Sequence, residues 1–358
     1  MTLWLALGPV SLSSLRCMGA SRRSLGWLFA WALGACGAGA AGGPSAAASG
    51  EAPLEFEDEA DARRSAPSSE AVARAEALLA QGHAEDALDV LRRALAADSR
   101  DARAQLDLGI AHEMLEQGEP AERAYRAALE IEPEFPEALN NLGALLRDSD
   151  QGAEGIALLR RAIAARPGLA SAHLNLAFAL EEAGDLEGAV ASYRRVTALS
   201  PRDPSSRANL GMLLLEQGQQ AQALIELRRA LPLASGSRAD LAQIGTGLRR
   251  AGDPDLAVRA LREAVSAEDS PAPPGLRAEL CLGEFAAGQR SEAEAHVRAL
   301  IVDVPDYAVA HWVLANMLAA RRAFPEAAAE YQTFVRMAPE APEAAEARRR
   351  LAFVRAQR

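Results

Sequence analysis

The sequence contains no lysine, so all 38 of its basic residues are arginines. Its 49 acidic residues outnumber them and leave a net charge of −11. That balance excludes the basic surface nucleic acid requires and leaves an acidic, solvated one. Aromatic residues occupy only 4% of the 358 positions. β-branched residues are sparse as well, which argues against a large sheet, where such side chains pack best. Three cysteines, Cys17, Cys36 and Cys281, are too few and too far apart for a disulfide framework or a metal site. What is abundant is alanine, leucine, arginine and glutamate, the strong helix formers. The length suits two average domains, unless the chain is a repeat array, which grows without a single core.

Residues 1–67 differ in kind from the rest. Arg22 and Arg23 precede an apolar stretch, residues 25–33. The stretch is too short to span a bilayer, which takes about 20 residues, and fits the apolar region of a secretory signal. Leu33-Gly34-Ala35-Cys36 follows at once. This order resembles the lipobox of bacterial lipoproteins, with Gly34 where that family prefers alanine or serine. The resemblance implies that Cys36 is lipidated, begins the mature chain and anchors it in a bacterial cell envelope. A cysteine falling by chance in an Ala/Gly-rich cleavage region is the other reading. Within the signal segment, 1–36, a start at Met18 is compact, whereas residues 1–17 put another apolar run ahead of the arginines. Residues 21–25 also resemble a twin-arginine export motif, from which Gly26 departs. Gly37 lacks the aspartate linked to inner-membrane retention, which leans toward the outer membrane. Residues 37–67 are rich in Gly, Ala, Ser and Pro and then acidic over 51–61. Such a segment cannot bury enough apolar surface to fold and reads as a disordered tether spanning roughly 30 Å.

Beyond residue 67 the chain repeats every 34 residues. Pro133, Pro167 and Pro201 keep that spacing, as do Asn141, Asn175 and Asn209. Small residues at Gly109, Gly143 and Ala177 each precede their proline by 24 positions. This pattern resembles the tetratricopeptide repeat: small at position 8, Gly near 15, Ala at 20, large at 24, Ala at 27, Pro at 32. In that register eight repeats occupy 68–101, 102–135, 136–169, 170–203, 204–237, 238–273, 274–307 and 308–341. The resemblance implies an all-α fold, a right-handed α-solenoid of about eight helix pairs. A capping helix over 342–358 follows, with Ala344, Ala345, Leu351 and Val354 on its apolar side and Glu343, Glu346, Arg348, Arg349 and Arg350 around them. The second and third repeats place their glycine two residues late, at Gly118 and Gly152. Their first helices are therefore expected to run longer and their second helices shorter. One helix pair cannot bury its apolar face alone, so neighbours must stack.

No reactive constellation appears. The five histidines lie apart from one another and from the cysteines, against metal binding. There is no phosphate loop and no nucleophile elbow. Cys281 stands at a position where the repeat wants a small residue, so it reads as a filler. The carboxylates lie at solvent-facing helical spacings, and residues 342–358 leave no room for a catalytic domain. Neither an enzyme, a cofactor nor a small-molecule substrate is expected. The surface left for function is the groove that the first helices line in tetratricopeptide arrays, through positions 2, 5, 6, 9, 12 and 13. Position 6 reads Asp107, Asn141, Asn175, Asn209 and Gln243. This series resembles the asparagine ladder of O-linked N-acetylglucosamine transferases, which holds extended peptides by their backbone; asparagine there is also common consensus in such repeats. A carboxamide both donates and accepts, so it pairs with any peptide unit. Leu174, Phe178 and Met212, with Leu106 and Ile110, supply apolar neighbours; Glu113, Glu181, Glu182 and Glu216 add acid, Arg249 and Arg250 base. The Lys/Asn/Arg clamp of chaperone-binding relatives is absent. The expected partner is a protein or extended peptide segment, with the membrane reached through the lipid. Pilotin-type lipoproteins and envelope-protease adaptors share this design. The alternatives are a soluble cytoplasmic or periplasmic regulatory subunit of an enzyme complex, or a glycosyltransferase fragment without its catalytic half.

Overall fold

The computed structural model describes residues 66–147, 151–268 and 270–357, and only the backbone of 66–69. The signal segment with Cys36 and the tether up to residue 65 lie outside the described residues. Among those described there are 17 α-helices and no strand, and none of the helices is long and apolar enough to cross a membrane. They form two compact bodies, 66–199 and 200–357.

The first body holds four helix hairpins: α1 (Ala66–Ala80) with α2 (Ala84–Ala97), α3 (Ala102–Met114) with α4 (Gly118–Ile131), α5 (Pro136–Arg147) with α6 (Gly152–Ala165), and α7 (Ala170–Glu182) with α8 (Leu186–Leu199). The second holds α9 (Pro204–Glu216) with α10 (Gln220–Ala230), α11 (Arg238–Arg250) with α12 (Pro254–Ser266), α13 (Pro274–Ala286) with α14 (Arg290–Asp303), α15 (Ala308–Ala320) with α16 (Phe324–Met337), and the final α17 (Ala344–Ala356).

Local chemistry starts and stops these helices. Asp101, Asp203, Ser237 and Asp253 accept bonds from backbone N–H groups of the first turn, satisfying donors that the helix itself leaves orphaned. The turn of the third hairpin lies outside the described residues, and within each of the other seven the turn carries one left-handed residue. It is glycine at Gly82, Gly184, Gly218, Gly252 and Gly288, but Glu116 (φ 57°) and Arg322 (φ 65°) stand in the same place. This corrects the expectation drawn from the late glycines. Helix α3 has 13 residues, and α4 and α6 have 14 each, so the first helix of the second repeat is not lengthened and neither second helix is shortened; the residues directly after α5 lie outside those described. Gly118 and Gly152 open second helices, and in the second repeat Glu116 makes the turn instead. Ser235 replaces the usual proline of the fifth repeat; there α10 stops at Ala230, and a 3-10 turn over Leu231–Leu233 and a left-handed Gly236 complete the connection.

The hairpins close on a repeated contact between positions 8 and 24. Gly109 lies beneath Tyr125, Gly143 beneath Leu159, Gly211 beneath Leu227 and Gly245 beneath Leu261. Tyr125, Leu159, Leu227 and Leu261 have no exposed surface. Burying a side chain of this size stabilises by about 1.5–3 kcal/mol. The core is accordingly a chain of local clusters between neighbouring helices, as expected of stacked repeats.

Candidate partner-binding face

In the first body the position-6 residues are Asp107 on α3, Asn141 on α5 and Asn175 on α7. Asp107 and Asn175 are buried, and Asn141 is half-buried. The carboxamides are bonded to one another, once across helices and once within α5. Asn175 Nδ2 donates to Asn140 Oδ1 at 2.9 Å, and Asn140 Nδ2 donates to Asn141 Oδ1 at 3.0 Å. Asp107 instead faces Arg103 at 3.5 Å. In the second body Gln243 Nε2 donates to Asn209 Oδ1 at 2.6 Å, and both residues stay half-buried. Asn175, Asn209 and Gln243 each have one polar atom engaged by a neighbouring carboxamide, and Asn141 bonds both Asn140 and the Tyr125 phenol, while an amide has further donor and acceptor capacity.

The apolar neighbours divide. Leu106 and Leu174 are buried, whereas Ile110, Phe178 and Met212 are half-buried. Phe178 meets Tyr193 edge-on with centroids 5.8 Å apart, and the Arg147 guanidinium lies 5.7 Å from the Phe178 centroid. Arg147 also pairs with Glu182 at 3.4 Å. In the second body Arg249 pairs with Glu279 at 3.0 Å, and Arg290 lies 5.9 Å from the centroid of Phe285.

Burial corrects the expectation that the carboxylates face solvent. Asp107, Asp240 and Glu284 are buried. Glu284, with no exposed surface, is held by Arg262 at 2.9 Å and by His296 Nδ1 at 2.8 Å. Glu113 reaches inward to accept from the Tyr125 hydroxyl at 2.5 Å. Desolvation pushes the Glu113 carboxyl up to about 8, against the opposing effect of the Tyr125 bond. Desolvation likewise raises Asp107 to about 7, outweighing the Arg103 charge.

The capping helix brings a second correction. Ala345 is exposed, and Arg350 turns inward. Its guanidinium lies 5.3 Å from the Trp312 centroid and donates to Asn316 Oδ1 at 2.7 Å and to Glu346 Oε1 at 2.7 Å. Asn316 Oδ1 also accepts from the Tyr331 hydroxyl at 2.7 Å. Trp312 and Asn316 sit at positions 5 and 9 of the last repeat. Neither falls at position 6, so the carboxamide spacing does not point to them.

Cys281 is 1% exposed, and burial, aided by the Glu284 charge, pushes its thiol up to about 12. It is a packing residue, since nucleophilic cysteines need the thiolate. Four histidines hold partners: His112 meets Gln117, His173 the Pro167 carbonyl, His296 Glu284 and His311 Glu330. Among the described residues no group of three or more His, Cys, Asp or Glu is placed to hold a metal ion. A depression of about 220 Å³ lined by Gln105, Leu108, His112 and Pro120 contains none of the expected binding residues.

Repeated hairpins, a left-handed turn and the position 8–24 contact are the marks of one family. Its profile matches residues 72–133, 115–170, 141–204, 174–238 and 279–342, more than half of the chain. The chain belongs to the tetratricopeptide repeat family. Residues 239–278, where the sixth repeat is longer by two residues, fall between the matches. No curated protein matches this tetratricopeptide repeat chain. Among solved structures it is similar to PilW, a widely conserved type IV pilus biogenesis factor, with 22% identity and a TM-score of 0.51 over 56% of this chain and 92% of that one. It is also similar to PilF of Pseudomonas aeruginosa, with 19% identity and a TM-score of 0.52 over 62% and 97%. Cut9 with Hcn1, from the APC/C, aligns over 81% of this chain and 57% of its own at 13% identity and a TM-score of 0.50. At these identities the likeness is one of fold.

Proposed function

We propose that this tetratricopeptide repeat protein is a non-enzymatic adaptor of the bacterial cell envelope. In this reading residues 1–36 are a lipoprotein signal, lipid on Cys36 anchors the chain, 37–67 form the tether, and the eight repeats over 68–341 bind a partner. The partner is an extended protein segment, held by its backbone along the inner face of the first helices. What supports the binding mode is the carboxamide series: Asn140, Asn141 and Asn175 are bonded in one chain, and Asn209 and Gln243 in another. Mutual bonds hold the amides in fixed orientations, which lowers the entropy lost when a peptide pairs with them.

Two measurements test the two halves of the reading. Asn141→Ala with Asn175→Ala, and separately Asn209→Ala with Gln243→Ala, are to be compared with the unaltered protein for affinity toward a labelled, extended Gly-Ser peptide. At about 0.5–1.5 kcal/mol per amide, each pair should weaken binding about ten-fold. Unchanged affinity in both pairs, with helical circular dichroism intact, would mean that these amides serve the repeat alone. Cys36→Ser should release the protein from washed membranes. An unmodified Cys36 in the mass spectrum of the native protein would end the lipoprotein reading.

A further inference from the structure

Three buried side-chain oxygens lack a hydrogen-bond partner among the described residues: Asp107 Oδ2, Glu113 Oε1 and Glu137 Oε2. All are carboxylate oxygens in the second and third repeats. Asp107 and Glu113 belong to one corner, built around a phenol. Tyr125 has no exposed surface, and its ionisation is suppressed by burial first, then by the charge of Glu113 and, more weakly, of Asp107. Asn141 bonds the same phenol from α5. Asp107 is 1% exposed and meets Arg103, which is shared with Glu76 of α1. Among the described residues no cation acts on Glu113. Glu137 pairs with Arg166 and also acts electrostatically on Arg103.

The same corner recurs 68 residues further on, where Tyr193 donates to Glu181 at 3.3 Å. There a cation is present. Arg147 lies over Phe178, pairs with the adjacent Glu182, and acts electrostatically on Tyr193. Arg147 is position 12 of the repeat before Tyr193. Position 12 of the repeat before Tyr125 is Leu79, a core residue that is 3% exposed. The chain thus supplies a guanidinium to one corner and has an apolar residue at the corresponding sequence position for the other.

We propose that the Asp107–Glu113 corner is a subsite for an arginine side chain of the bound partner segment. The proposal rests on the groove reading above. A guanidinium presents planar, fixed donors that suit carboxylate oxygens, and Glu113 Oε1 and Asp107 Oδ2 are the acceptors left over. Glu113 is only half-buried as a residue, and access to Oε1 requires its carboxyl to turn about the broad terminal torsion, which exchanges the oxygen that Tyr125 bonds. The groups facing the corner are Arg103 and Asp101 on and before α3, Glu76 on α1, the neutral Tyr125 on α4, and Asn141 and, through Arg103, Glu137 on α5. Burial keeps a proton on Glu113 near neutrality, and the entering guanidinium displaces that proton to solvent. Binding therefore strengthens as pH rises.

The test uses the full chain and two Gly-Ser peptides, one with a single arginine and one with citrulline, its neutral isostere, in the same place. Fluorescence anisotropy should give about ten-fold tighter binding of the arginine peptide, as for a charge-assisted bond pair. The gap should widen from about pH 6 to about pH 9 and close in both Glu113→Gln and Asp107→Asn. Equal affinity for the two peptides overturns the subsite and leaves the groove standing. Binding of neither overturns both readings. A preference for arginine that survives in both variants puts the cation elsewhere and overturns the assignment.

Discussion

Glu113 makes the stability of the first body depend on pH in an unusual direction. Its carboxyl titrates at about 8 in the folded chain, up from 4.5, because burial disfavours the charge. The folded state therefore holds a proton that the unfolded state has lost. Stability is greatest below about pH 4.5 for this group, and it falls as pH rises through the window up to about 8. At about 1.36 kcal/mol per unit the full window amounts to roughly 3–5 kcal/mol. That is an upper bound, because outward rotation of the half-buried side chain hydrates the carboxylate. Asp107, raised to about 7 by burial, adds to the same slope. Glu113→Gln keeps an acceptor for Tyr125 and removes the titration. It leaves an amide N–H₂ group in the corner, for which a loss of about 1–3 kcal/mol is expected. The two profiles should therefore cross: near pH 5 the unaltered protein is the more stable, and near pH 9 the variant is, by roughly 1–2 kcal/mol. Urea unfolding followed by circular dichroism at both pH values measures this. Parallel profiles, or an unaltered protein that gains stability toward pH 9, would refute the assignment of a buried, protonated Glu113.

Two further predictions concern the repeat itself. A Cβ on Gly109 would lie 2.3 Å from the Tyr125 ring, which has no free surface into which to move; Gly109→Ala should lower stability by about 1–3 kcal/mol, while Gly118→Ala, with nothing within 4 Å, should not, and equal urea midpoints for the two would contradict the contact. Glu116 holds a left-handed backbone where five other repeats have glycine; Glu116→Gly should raise the thermal midpoint, gaining about 0.5–1 kcal/mol, and a lowered midpoint would show that the side chain has an offsetting role.

The period, the helical class and the hairpin order were legible because they follow from short-range chemistry that repeats. Small residues at position 8, prolines near 32 and glycine at the turn each act within one hairpin, so eight copies reinforce one reading of the chain. The late Gly118 and Gly152 misled because a glycine signals a left-handed turn without being required for it. Glu116 accepts that backbone at a modest energetic disadvantage. The carboxamide series was visible as a spacing, but its mutual bonds were not, since Asn140 lies outside position 6 and enters only when α5 and α7 are adjacent.

Charge placement was decided by tertiary structure alone. Helical periodicity gives the direction of a side chain, not what the next helix puts in front of it. Glu284 is buried because Arg262 and His296, from other helices, converge on it. Arg350 leaves the polar face of α17 because Trp312 and Asn316 offer it a ring and an acceptor. Glu113 and Glu181 have the same position and the same tyrosine partner twelve residues on, a recurrence that sequence alone contains. They differ in the residue 34 positions earlier, a buried Leu79 for Glu113 and Arg147 for Glu181, and Arg147 acts on the second corner as a cation. Among the described residues, desolvation of the first carboxyl is opposed by the Tyr125 bond alone, with no cation to add to it.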